Sequence, residues 1–225
     1  MNKSLIAVTV AVAVAAVVGQ GETQAGQPAS AATPSRALAG AAAYRDGHHE
    51  RALRHFLQAA AAGHAVAQFN VAVMLMEGQG FEPRPAEAIT WLRKSAENGY
   101  VQAQNALAML FERGEHVPRS QVDATLWWRR AAEQGSRDAQ VNLATQYFLG
   151  RGVPQDDAMA ALWYQRAAGQ GDAGACYIIA SMYQNGYGVP RDLERAGFWY
   201  GQAARRGEPG AAELARAMRS GSDDL

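Results

Sequence analysis

The 225-residue sequence holds a single cysteine, Cys176, so no disulfide can close within the chain and no multi-cysteine zinc or redox motif exists. Lysine is almost as scarce, occurring only at Lys3 and Lys94. Basic and acidic residues number 21 each, and a net charge of zero removes the broad field that draws proteins to nucleic acid or anionic membranes. The longest uncharged apolar run, residues 5–18, falls short of the roughly 20 residues that span a bilayer. Motifs of covalent and metal catalysis are also missing: there is no G-x-S-x-G, no S-x-x-K and no H-E-x-x-H. Glycine pairs do occur, but none is followed by the Lys-Ser/Thr of a phosphate loop. Among the five histidines, His48, His49 and His64 lie near one another in sequence without metal-ligand spacing, His55 occupies a tryptophan column defined below, and His116 falls in a loop. These absences leave no catalytic, metal or cofactor residue to nominate.

What is present begins with a distinct N-terminus. Lys3, the run 5–18 and the small-x-small site Thr23-Gln24-Ala25 have the layout of a secretory signal peptide over 1–25. The expectation is export across a bacterial inner membrane to the periplasm or beyond, with no membrane insertion after cleavage; retention through 5–18 as an inner-membrane anchor is the alternative. Residues 26–35, GQPASAATPS, are small, polar and proline-bearing and are expected to form a flexible linker.

From there the chain repeats itself. The stretch GRGVPQDDAMAALWYQRAAGQGD at 150–172 recurs 36 residues later as GYGVPRDLERAGFWYGQAARRGE and 36 earlier as GEHVPRSQVDATLWWRRAAEQGS, with GQGFEPRPAEAITWLRKSAENGY one step further back. Four copies stand in register without a gap, with columns at Trp91, Trp127, Trp163 and Trp199, at Ala88, Ala124, Ala160 and Ala196, and at Gly99, Gly135, Gly171 and Gly207. A fixed period in this range signals a solenoid whose units bury an apolar face only against their neighbours. In the third unit, Leu143, Ala144, Tyr147 and Phe148 fall at helical spacing after a capping Asp138. Gly150, Gly152 and Pro154 break that helix, and Asp156 or Asp157 opens a second one carrying Ala160, Trp163, Tyr164, Ala167 and Ala168. Each repeat is thus expected to be a helical hairpin.

Ala139, Gln140, Leu143, Ala144, Tyr147, Gly150, Gly152, Val153, Ala160, Trp163, Tyr164, Ala167, Ala168 and Gly171 together resemble the Sel-one-like repeat, a cousin of the tetratricopeptide repeat. The resemblance implies an all-α, right-handed superhelix of stacked hairpins over 36–219, with an N-terminal cap hairpin at 36–63, four repeats at 64–207 and a capping helix at 208–219 in which Pro209 occupies the first turn. The tail 220–225 is expected to be disordered. His116 departs from the pattern by replacing the second loop glycine, and Cys176 stands where Gln68, Gln104 and Gln140 stand in the other units.

The same resemblance places the first helix of each hairpin along a concave groove and implies a protein or peptide partner rather than a substrate or nucleic acid. Columns that keep their residue type serve packing, and columns that vary can carry specificity. On that argument Phe69, Asn105, Glu112, Arg113, Tyr177, Gln184 and Asn185 are the expected partner-binding residues, an aromatic and amide mixture suited to a peptide or helix. Two other functions stay open: a cell-wall or β-lactam hydrolase, as proposed for cysteine-rich relatives, and a scaffold that associates with itself. Oligomeric state is not specified by the sequence.

Overall fold

The computed structural model describes residues 32–79 and 81–220; the expected signal peptide at 1–25, residues 26–31 of the expected linker and residues 221–225 of the expected tail at 220–225 lie outside them, and Ser220 of that tail closes the last helix. Every regular element among the described residues is an α-helix: α1 Ala32–Arg45, α2 His49–Ala61, α3 Ala65–Glu77, α4 Pro85–Glu97, α5 Val101–Arg113, α6 Gln121–Glu133, α7 Arg137–Leu149, α8 Asp157–Gly169, α9 Ala173–Asn185, α10 Leu193–Arg205 and α11 Ala211–Ser220. From α2 to α10 all are 13 residues long, the helical image of the gap-free 36-residue period.

Local chemistry sets these lengths. The side chains of Ser120, Ser136, Asp156, Asp172 and Asp192 each accept the free N–H three residues on, and His64 does the same through Nδ1. Burial pushes the His64 imidazole below its usual value, which favours the neutral ring that can accept this bond. Gly78, Gly114, Gly150 and Gly186 end the first helices in the left-handed conformation, each N–H returning to a carbonyl four residues back.

Three expectations need correction. The cap of α7 is Ser136, not Asp138: Ser136 has the extended backbone of a cap, whereas Asp138 is already inside the first turn, where its charge favours the helix dipole. Helix α1 starts at Ala32, so 32–35 are not linker; Pro34 fits a first turn, where no N–H is required, and Thr33 is buried. At the other end Gly210 adopts φ 74° and holds Pro209 outside α11, which begins at Ala211.

The chain forms two compact units, one ending at Pro118 and the other beginning at Arg119. In the first, α1 to α5 pack consecutively, each on the next; in the second, α6 to α11 do likewise. These are the stacked hairpins of an α-solenoid, with the second regular repeat divided so that α5 closes one unit and α6 opens the other. Within both units the alanine columns lie at the helix contacts: Ala88, Ala124, Ala160 and Ala196 are wholly buried, and Ala96, Ala132 and Ala168 nearly so. Small side chains there let backbones approach, and the large rings beside them fill the grooves. The residues that follow the repeating tryptophans, Leu92, Trp128, Tyr164 and Tyr200, are all buried, whereas of the tryptophans themselves Trp127 and Trp163 are buried and Trp91 and Trp199 half-buried. Three of the repeating indoles carry a cation three residues on: Lys94 on Trp91, Arg130 on Trp127 and Arg166 on Trp163, at 4.3–4.6 Å from ring centroid to charge.

Candidate interaction surfaces

The structure assigns different surroundings to the seven expected partner-binding residues. In the first unit, Asn105, Glu112 and Arg113 share one face of α5; Asn105 and Glu112 are half-buried, and Arg113 is exposed with a guanidinium 3.7 Å from the Glu115 carboxylate. Phe69 does not belong with them. It is completely buried and packs edge-on against Tyr100 at 5.2 Å, a correction that follows from α3 being covered on all sides.

In the second unit, Tyr177, Gln184 and Asn185 lie along α9 at spacings of seven and eight, on one face of the helix. Their positions are braced from beneath. The half-buried Tyr177 ring meets Tyr200 edge-on at 5.2 Å, and the Tyr200 hydroxyl donates to Gln184 Oε1 at 2.9 Å. Asn185 is exposed, with its amide held on the Ser181 carbonyl at 2.8 Å. Burial raises the Tyr200 phenol above its usual pKa, partly offset by Ser181, so this hydroxyl stays protonated at neutral pH. The patch therefore offers an aromatic edge and amides without a formal charge.

A polar arrangement that sequence reasoning missed runs beneath the surface. Gln68 Nε2 donates to the Ala60 carbonyl at 3.1 Å, Gln104 to Ala96 at 3.0 Å, and Gln140 to Ala132 at 3.2 Å, each reaching the end of the preceding hairpin. At the end of the following helix a second amide returns: Asn98 donates to Gln68 Oε1 at 2.9 Å, and Gln170 to Gln140 Oε1 at 2.8 Å and to the Gly135 carbonyl at 3.0 Å. Buried amides satisfied this way make each hairpin a specific neighbour of the one before it. The glutamine column is visible in the sequence; its partners are backbone carbonyls, which leave no sequence trace. At the fourth position Cys176 Sγ lies 3.7 Å from the Ala168 carbonyl, wholly buried, and burial pushes its thiol up with Arg206 pulling the other way. A buried thiol with a raised pKa is a packing group.

Among the described residues, no three His, Cys, Asp or Glu side chains converge as metal ligands would. A cavity of about 10 Å³ in the first unit, lined by Phe69, Ala72, Val73, Met76, Ala88, Leu92 and Ala106, has room for about one water and no polar lining side chain. No described helix is long and apolar enough to cross a membrane.

Hairpins that use their repeating residues on one another, and vary only along outer helix faces, define a repeat scaffold of the interaction type. The chain belongs to the Sel1 repeat family, matching it over residues 38–64, 65–100, 101–136, 137–172 and 173–208. The first of these matches extends the family to the hairpin expected as the N-terminal cap at 36–63. Sel1 repeats build protein-interaction modules that are in general non-catalytic. Similar solved structures include two with a repeat fold of this kind. The chain is 33% identical, over 80% of its length, to c5321, a protective antigen present in uropathogenic Escherichia coli strains and displaying an SLR fold, with a TM-score of 0.71; it spans only 39% of that chain. It is 31% identical to a Sel1 repeat protein from Oxalobacter formigenes over 81% of its own length and 74% of that chain, with a TM-score of 0.64. No curated protein matches the sequence.

Proposed function

We propose that the chain is an exported, non-enzymatic adaptor that holds a peptide or helix of another cell-envelope protein, in signalling, envelope assembly or host contact. The observation that carries this reading is the α9 face, where Tyr177, Gln184 and Asn185 present an aromatic edge and amides on a braced support. Rigid aromatics flanked by hydrogen-bonding groups are the composition of interface anchors, since they bring large contact area at little entropic cost. Asn105, Glu112 and Arg113 make up the corresponding face of α5 in the first unit. Export rests on the signal-like layout of 1–25.

The test is in-cell cross-linking, followed by identification of the protein retained. A combined Asn105→Ala, Arg113→Ala and Tyr177→Ala variant is expected to lose the retained protein by at least tenfold while helical circular dichroism and melting stay unchanged. Retention at the original level with the fold intact refutes these faces as the binding surface.

Self-association has one observation in its favour. In the second unit, Leu126, Leu162 and Phe198 form an exposed apolar column repeated every 36 residues, at 41%, 41% and 55% exposure, with Val122 beside it at 66%. A scaffold using this column would show concentration-dependent mass in sedimentation that Leu162→Asp abolishes. A monomer at every accessible concentration removes that reading.

A further inference from the structure

The exposed apolar column of the second unit is not a product of the repeat. In the first unit the same column holds Arg54 and Thr90, both exposed, so hairpins of this kind stack without an apolar residue there. In the second unit it holds Leu126, Leu162 and Phe198, on the second helices α6, α8 and α10. The Phe198 ring is steadied edge-on by Trp199 at 5.1 Å and is still 55% exposed. Large apolar side chains at one height on successive helices form a patch, and a patch calls for a partner where single exposed residues do not.

Charge is arranged around this patch with a particular symmetry. Arg130 stands one turn beyond Leu126 on α6, and Glu194 one turn before Phe198 on α10, each on the same helix face as its apolar neighbour. Both are exposed, and neither enters an ion pair among the described residues. The Arg130 guanidinium is held over the Trp127 ring at 4.6 Å. In repeat register Leu162 lies midway between Leu126 and Phe198, and equally midway between Arg130 and Glu194. One cation and one anion thus occupy opposite corners of an apolar patch centred on Leu162. The other two corners are Val122 and Gln202, neither of them charged.

We infer that a second copy of this chain covers the patch, with a two-fold axis through Leu162. An axis in the plane of the face, set across the diagonal from Arg130 to Glu194, exchanges those two corners. Arg130 of each copy then meets Glu194 of the other, and the two Leu162 side chains meet at the axis. A two-fold interface uses one surface twice, so it requires this kind of self-complementarity. Arg166, beside the axis, is drawn onto its own Trp163 ring at 4.4 Å. The dimer rests on the self-association reading of this column, fixes its geometry, and leaves the α9 face, which belongs to a first helix, open to the adaptor's partner.

The test is sedimentation of the purified full-length chain at low salt, over a wide range of concentration. Wild type is expected to form a dimer and stop at two copies. Arg130→Glu or Glu194→Arg alone is expected to weaken that dimer about tenfold or more, and the two together to restore most of it, because the reversed pair is again complementary. Circular dichroism and melting, unchanged in all three variants, show that the fold is intact. A dimer indifferent to the single reversals, or not rescued by the double, overturns the two-fold pairing while self-association itself stands; assembly beyond two copies does the same. A monomer throughout overturns the pairing and the self-association reading together.

Discussion

Replacing Trp128 by alanine is expected to destabilise the second unit by about 3–5 kcal/mol, the range for removing a large ring from a packed core. Trp128 is the largest fully buried side chain among the described residues, at 2% exposure, and it lies on α6 beside the buried Ala131 and Ala132. No smaller neighbour can refill that volume without moving a helix backbone. Trp128→Phe should cost much less, and for a specific reason: the indole N–H is buried without a partner, so phenylalanine loses ring area but also discards an unsatisfied donor. Urea unfolding followed by far-ultraviolet circular dichroism decides it. A change below about 1 kcal/mol for the alanine variant would show that Trp128 is not a core residue.

Gly188→Ala is the second large effect. Gly188 adopts φ +65°, and a Cβ there would collide with the backbone carbonyl of Asp157 and lie 2.7 Å from Ala158 N, at the start of α8. The left-handed conformation alone costs an alanine about 1–2 kcal/mol, and the collision adds to it because the struck atoms are backbone and cannot rotate away. Gly186→Ala serves as the control, with the same sign of φ but its nearest contact an ordinary 3.5 Å to the Arg191 Cβ. The expected order of midpoints is wild type, then Gly186→Ala, then Gly188→Ala well below both. Equal loss in the two variants would show that the loop does not press on the start of α8.

This close approach explains why the second glycine of each G-x-G was legible and yet incompletely understood. The spacing announced a loop breaker, and the structure adds that Gly152 and Gly188 bring the loop against the first turn of the second helix in the preceding repeat, at Gln121 and Asp157 respectively. His116 occupies the same column and still adopts φ 58°, the single described non-glycine residue that does. Helix number, helix length and the alanine contacts were all readable because no insertion blurs the 36-residue columns. Phe69 was not. Its column also holds Asn105, Val141 and Tyr177, which are half-buried, and a column whose residues vary does not show in advance which of its members is covered. Asp138 misled for a smaller reason, since Ser136, two residues earlier, has the short polar side chain and extended backbone that capping requires. The α9 patch was legible in its residues but not in its bracing, because the Tyr200–Gln184 bond joins side chains 16 positions apart on different helices.

The buried amides bear on how such a protein changes length. Gln140 reaches back to the Ala132 carbonyl and Gln170 to Gly135, while the same unit's own Ala168 carbonyl is left for the residue that follows. Each module with a glutamine at this position thus carries a plug on one side and a socket on the other, and a duplicate of such a module inherits both. Gene duplication or loss in whole multiples of 36 residues leaves every remaining junction chemically complete, so arrays of this kind can be lengthened or shortened without redesigning a single joint.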